Sequence, residues 1–294
     1  MTMDYIHPTS VEEALGVLNE YGGTARVIAG GTDLMLDLRQ GKVAPRCLVD
    51  ITRIPGLERI EVSQGMVKVG AAVTFAALGD SPFIRQHVHA LAEAARSVGA
   101  LPIQTVATWV GNLVQALPAA DGAIVALALE AEARVADCHA AEWRPVETLF
   151  AGPGISTVDP SRQIVTHVRF RLPPPPWGTA WQRLGRRESL VLPILNCAVR
   201  LCLSPDGSHI AHATLALGPV APRPHRARQA EAFLQGQPPE AGTFAQAARL
   251  VQQESDPRDS PTRASRAYRL SIIPAIVQAA LTTAAARAQV EMRD

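Results

Sequence analysis

The chain has 294 residues, of which 47% are hydrophobic and 19% charged, enough to bury a large core across two or three domains. A formal net charge of +1 argues against a nucleic-acid binder, which carries a basic excess. The N-terminus shows no basic patch followed by an apolar stretch, no apolar run reaches about 18 residues, and Cys47, Cys138, Cys197 and Cys202 form no C-x-x-C pair. No leader, membrane span, metal site or disulfide framework is therefore expected, and a reduced, cytoplasmic compartment fits.

In chain order, "TSVEEALGVLNEYGG" predicts a helix, with Ser10 and Glu13 as a capping box and Gly22-Gly23 as its stop. "ARVIA" and "CLVDI" (Cys47–Ile51) predict strands, joined through the glycine pair of "RVIAGGTDLMLDLRQG". "LERIEVSQGMVKVGAAVTF" alternates like a hairpin about Ser63-Gln64-Gly65. "HVHALAEAARSVG" (His87–Gly99) predicts a helix, whereas residues 101–122, broken by Pro102, Gly111 and Pro118, predict mostly loop. "AIVALALEAEARV" is a buried helix or a helix passing into a strand, and "QIVTHVRFRL" (Gln163–Leu172) is a strand.

Pro173–Pro176 favour polyproline geometry and mark a boundary. Beyond them, "TAWQRLG" and "LPILNCAVRLCL" predict strands, and Ser204–Gly207 turns into a third, "SHIAHATLALG". The remainder predicts about three helices. The expected division is 1–54 and 55–175, each α/β, then 176–294, an antiparallel sheet followed by helices.

Two loops carry possible chemistry. Gly30 and Gly31 with Thr32, and Gly111 and Asn112 with Thr108, can offer backbone N–H and side-chain donors to a diphosphate. Asp33 or Asp121 would suit ribose, ribityl or ring N–H groups instead. The same residues also read as a tight turn, and Asp121 as a helix N-cap. Neither loop matches G-x-G-x-x-G or a P-loop. The histidines are scattered and make no triad. The arginine-rich "PRPHRARQ" reads as a solvated helix start or a partner-facing stretch.

Seven stretches in order resemble the FAD-binding (medium) subunits of the molybdenum hydroxylases, the xanthine dehydrogenase and carbon monoxide dehydrogenase family. They are "AGGTDL" (Ala29–Leu34), "LVDITRIPGL" (Leu48–Leu57), "VGAAVTFAAL" (Val69–Leu78), "LAEAARSVG" (Leu91–Gly99), "VATWVGNLVQALPAAD" (Val106–Asp121), "GPVAPRPHRARQAE" (Gly218–Glu231) and "TRASRAYR" (Thr262–Arg269). The resemblance implies an α+β fold: a two-part α/β FAD-binding domain of the vanillyl-alcohol-oxidase (PCMH-like) type, then a C-terminal antiparallel sheet with a helix bundle. It implies an oxidoreductase subunit that binds FAD, takes electrons from an iron–sulfur small subunit bearing 2Fe-2S clusters and passes them to an external acceptor. A molybdopterin large subunit would complete a heterotrimer or its dimer.

By the same resemblance, Val27, Ile28, Ala29, Gly30, Gly31, Thr32, Asp33 and Leu34 match the first diphosphate loop. Thr108, Trp109, Gly111 and Asn112 match the second, and Asp121 the acidic residue at the flavin's sugar-like chain. Val98 and Val165 fall where apolar residues line the ring or adenine pocket, or are plain core. Arg183 stands near a family lysine and either steadies the negative charge of a reduced flavin or is a solvated strand residue. Val110 departs from the family's T-I-G-G-N pattern, and a left-handed backbone there would cost a valine about 1–2 kcal/mol. Gln104 replaces a common arginine. Two other readings follow from these departures: a stand-alone FAD oxidoreductase, and a flavin-free scaffold with a degenerate second loop.

Overall fold

Three larger sheets and a two-stranded ribbon organise the computed structural model, which describes residues 3–291. The first part holds β1 (Asp4–Ile6), α1 (Val11–Glu20), β2 (Ala25–Ile28), α2 (Leu34–Arg39) and β3 (Cys47–Asp50), with a parallel sheet in the order β1-β3-β2. β3 is central and buried at every position, which is why "CLVD" is an unbroken apolar run up to Asp50. The α1 cap forms as expected, Ser10 Oγ accepting from the Glu13 amide at 3.1 Å. Its return arm closes one residue earlier: the Glu13 carboxylate accepts from the Thr9 amide and hydroxyl at 2.7 and 2.8 Å.

The second part opens with the hairpin β4 (Ile60–Ser63) and β5 (Met66–Gly70), turned by Gln64 and Gly65 at φ 51° and 70°. Helices α3 (Phe75–Asp80), α4 (Pro82–His87), α5 (His89–Ser97), α6 (Leu101–Gln104), α7 (Trp109–Val114) and α8 (Asp121–Ala128) follow. Then come β6 (Glu132–Ala136), β7 (Ala141–Pro145), a 3-10 turn, the ribbon β8 (Phe150–Gly152) with β9 (Ile155–Ser156), and β10 (Ile164–Arg171). The antiparallel order is β4-β5-β10-β6-β7.

Residues 101–122 are therefore not mostly loop. Pro102 sits in the first turn of α6, where its missing N–H costs nothing, and Thr108 caps α7 through the Gly111 amide. Gln104 ties the bend before α6 by donating to Arg96 O and Val98 O, both at 2.9 Å.

The third part comprises β11 (Trp177–Leu184), β12 (Leu195–Leu203), β13 (Ile210–Gly218) and β14 (His225–Arg226), paired antiparallel in that order, then α9 (Arg228–Leu234), α10 (Ala241–Glu254) and α11 (Arg266–Glu291). Both faces of this sheet are covered, so β12 is buried throughout. Its alternation sorts two cores. Leu195, Cys197, Val199, Leu201 and Leu203 face the C-terminal helices, while Ala198 and Cys202 join the core of the first two parts. On the latter face Asn196 and Arg200 hydrogen-bond to Ala119 O and Leu129 O at the two ends of α8. α11 is long and apolar enough by composition to cross a membrane, against the reading of no such segment, yet its buried stripe of Ile273, Val277, Ala280, Leu281 and Ala284 packs into the second core.

Candidate functional site

A cleft of about 880 Å³ runs along the carboxyl end of β2 and between all three parts. Ligands favour the carboxyl ends of parallel strands, where the loops open outward, and the volume lies within the range of cofactor sites. Val27, Ile28, Ala29, Gly30, Gly31, Thr32, Asp33, Leu34, Val98, Thr108, Gly111, Asn112, Asp121 and Val165 all line it. Trp109 and Arg183 are not on its lining.

The two glycine loops meet, and the reason is steric. A Cβ at Gly30 would lie 2.0 Å from Val106 O and 2.8 Å from Ala107 Cα, so the backbone after β2 rests directly on the backbone before α7. Gly31 turns the chain with φ +68°, a left-handed conformation that side chains resist. No protein acceptor among the described residues takes the amides of Ala29, Gly30, Gly31, Thr32 or Asp33. A row of unpaired amides on a polar bend is an anion cradle. Within it, burial and then the charge of Asp37 push the Asp33 carboxyl above its usual range, partly offset by the Thr32 hydroxyl.

The second loop is a capped helix start rather than a bend of free amides. The Trp109 amide donates to Val73 O at 3.3 Å, the Gly111 amide to Thr108 Oγ1 at 3.0 Å and the Asn112 amide to Thr108 O at 3.1 Å. What remains for a ligand is the Thr108 hydroxyl hydrogen, the Val110 amide and the Asn112 side chain. Asn112 Oδ1 is buried without a donor, a position that a ligand hydroxyl or N–H would satisfy.

Three expectations are corrected here. Trp109 is core: it is 0% exposed, donates Nε1–H to Gly122 O at 2.9 Å and packs edge-on to Phe170. Val110 lies in the right-handed first turn of α7, buried at 5% exposure, so the strain expected of a valine at left-handed φ does not arise. Arg183 is neither solvated nor on the cleft wall: it donates Nη2–H to Val191 O, and Nε stands 3.6 Å from Asp121 Oδ1.

Asp121 is the first residue of α8, after the Ala120 cap, so it is no N-cap. Its Oδ1 accepts from Asn196 Nδ2 at 2.6 Å. Burial pushes its carboxyl up to about 6, against the opposing pull of Arg183 and Asn196. A raised pKa beside an arginine means that desolvation outweighs the pair. Asn196 went unread in the sequence; an amide inside the apolar run "LPILNCAVRL" was the available signal. Nothing local pointed to two further lining groups, the strap Leu190–Leu192 and the arginines Arg258, Arg263 and Arg269.

The sequence profile described as FAD binding domain in molybdopterin dehydrogenase matches residues 1–174, and that described as CO dehydrogenase flavoprotein C-terminal domain matches residues 180–284. The chain is 28% identical over 288 residues to the xanthine dehydrogenase FAD-binding subunit of Escherichia coli O157:H7, spanning 97% of this chain and 96% of that one. It is 29% identical over 238 residues to the nicotinate dehydrogenase FAD-subunit of Eubacterium barkeri, spanning 80% of each. Its fold matches a chain of the carbon monoxide dehydrogenase of Hydrogenophaga pseudoflava, in a form lacking the Mo-pyranopterin moiety, with TM-score 0.91 and 27% identity, over 98% of this chain and 99% of that one.

Proposed function

The chain belongs to the family of FAD-binding domains of molybdopterin dehydrogenases, and from that premise we propose that its cleft holds FAD between the loop after β2 and the first turn of α7, as one station of an electron path. It is the FAD-binding medium subunit of a molybdenum hydroxylase, an oxidoreductase component that works within a multi-subunit complex. Bound FAD supplies the reversible electron chemistry.

The amides of Gly30 to Asp33 would hold the diphosphate, with the Thr108 hydroxyl and the Val110 amide as further donors. Asn112 Oδ1 and the Asp121 carboxylate accept from hydroxyl or ring N–H groups. Val98, Val110 and Val165 exclude water from the apolar ring system. Asn196 holds Asp121 in place, and Arg183 bears on the same carboxylate from behind. The observation that carries this reading is the row of amides without protein acceptors on a cleft that the second loop also lines.

A small subunit with 2Fe-2S clusters would supply the electrons, in a heterotrimer whose large subunit would carry molybdopterin. The free thiols of Cys47, Cys138 and Cys197 are in keeping with a reducing, cytoplasmic setting. We divide the chain at residues 54 and 175, in the connections between the three larger sheets. The right-handed turn at Val110 carries no backbone strain, which supports an intact second loop over a flavin-free scaffold. Ultraviolet–visible absorption of the purified chain tests the assignment: flavin bands, present as isolated or after reconstitution with FAD, are expected, and a chain that stays colourless after reconstitution refutes it.

A further inference from the structure

The C-terminal part contributes to the cleft a wall of unpaired positive charge. Arg258 and Arg263 lie on the segment between α10 and α11, and Arg269 in the first turns of α11; all three line the cleft. They grade from exposed Arg258 through half-buried Arg263 to Arg269, which is 2% exposed. Arg269 donates Nη1–H to Arg258 O at 2.8 Å, which fastens the segment to the helix, while its Nε is buried without a partner.

No carboxylate among the described residues lies within ion-pair reach of Arg258, Arg263 or Arg269. The nearby acids are engaged elsewhere: Asp256 pairs with Arg266 at 3.0 Å, and Asp259 Oδ1 accepts from the Arg266 amide at 2.7 Å. Burial lowers the pKa of Arg263, and the charge of Arg258 lowers it further. Burial, then Arg263 and Arg258, do the same to Arg269, with Asp259 opposing. Guanidinium groups that are desolvated and mutually repelling are costly unless an anion completes them.

The surroundings locate the wall. Arg263 also lines a side chamber with Arg186, Thr262, Leu190 and Leu192. Leu190 belongs to the strap that crosses to the second part, its amide donating to Gly99 O at 3.0 Å. The cleft lining also carries the carboxylates of Asp33, Asp37, Asp121 and Asp256 and the guanidinium of Arg26, so the three arginines are the part of it where positive charge outnumbers negative.

We propose that Arg258, Arg263 and Arg269 form an anion site on the C-terminal wall of the cleft, built for the diphosphate of a nucleotide. Planar guanidinium forks match phosphate oxygens in pairs, and several of them suit a multiply charged group better than a lone carboxylate. The diphosphate can be that of the bound FAD or that of a nucleotide acceptor arriving at the loaded cleft. The placement of FAD rests on the function proposed above; the anion site itself does not.

The test uses the full chain, with and without FAD, titrated calorimetrically with ADP at low and high salt. The variants are Arg258→Gln/Arg263→Gln, which breaks no ion pair, and Arg263→Lys, which keeps the charge. If the anion is the cofactor's own, the double variant loses about ten-fold or more in affinity for both FAD and ADP, and the loaded wild type takes no ADP. If it is a second nucleotide's, the loaded wild type binds ADP, the double variant loses that binding, and FAD affinity is unchanged. In either case Arg263→Lys retains most of the affinity and high salt weakens it. A wild type that binds no FAD but takes ADP through these arginines would end the cofactor reading and leave the anion site standing. Unchanged affinities for FAD and ADP in a folded double variant, with no ADP taken by the loaded wild type, would overturn it.

Discussion

Gly30→Ala probes the contact that joins the two loops. The added Cβ would meet Val106 O at 2.0 Å, about 1.4 Å inside an ordinary 3.4 Å contact, and the obstacle is backbone rather than a flexible side chain. Relief requires the loop after β2 to part from the segment before α7. Overpacking of this kind costs about 1–3 kcal/mol, and rigid atoms on both sides place it near the upper end. At about 2 °C per kcal/mol for a chain of this size, the melting temperature should fall by roughly 6 °C. FAD retention should fall with it, because both loops wall the cleft. Gly31→Ala should cost about 1–2 kcal/mol through its φ of +68°. Gly16→Ala, in mid-α1 with nothing within 4 Å, should stabilise by about 1 kcal/mol. Thermal melts with flavin absorbance give all three. A Gly30→Ala protein that melts with the wild type and keeps its flavin would refute the contact.

Asp121→Asn tests the buried acid. Its folded pKa of about 6 lies above the unfolded value, so the folded state holds the extra proton; the contribution to stability is complete near pH 4 and lost as pH rises towards 6. The stability difference between wild type and variant, from urea midpoints, should decline over that interval, and a flat difference would contradict it. Glu130→Gln has the opposite sign. A hydrogen bond from His212 and the charges of Arg200 and Arg226 hold Glu130 below the usual carboxylate range against burial, so the wild type's advantage should vanish as the medium is acidified. Val110→Gly should cost about 2 kcal/mol by denaturant midpoint, through lost burial and helix propensity, with no gain in FAD affinity; tighter FAD binding at unchanged stability would mean that the α7 turn is misassigned.

Much of the fold was legible because its elements carry local signals. Ser10 with Glu13, the Gln64-Gly65 turn and the helical spacing of "FAQAARLVQQ" each state their structure within a few residues. The segment 101–122 was not legible, because Pro102 and Gly111 break helices in general but sit within first turns here, where their defects are harmless. β1, three residues long, has no pattern of its own and exists because β3 offers it a parallel edge.

The site divides the same way. The first loop was readable from Gly30-Gly31 and lines the cleft. The roles of Trp109 and Arg183 were not readable, since these depend on Gly122, Phe170 and Asp121, distant in sequence or packed from another element. Gly30 has a second role that the sequence alone does not show. Its missing side chain makes room for Val106, and only through that contact does it shape the space where a diphosphate would sit.

A crystal structure of the chain grown with FAD tests the central claim most directly. The account predicts diphosphate oxygens within hydrogen-bond distance of the amides between Gly30 and Asp33, with Thr108 and Asn112 on the facing side. Density for the diphosphate away from that loop, or those amides turned towards protein acceptors beside a bound cofactor, would contradict it.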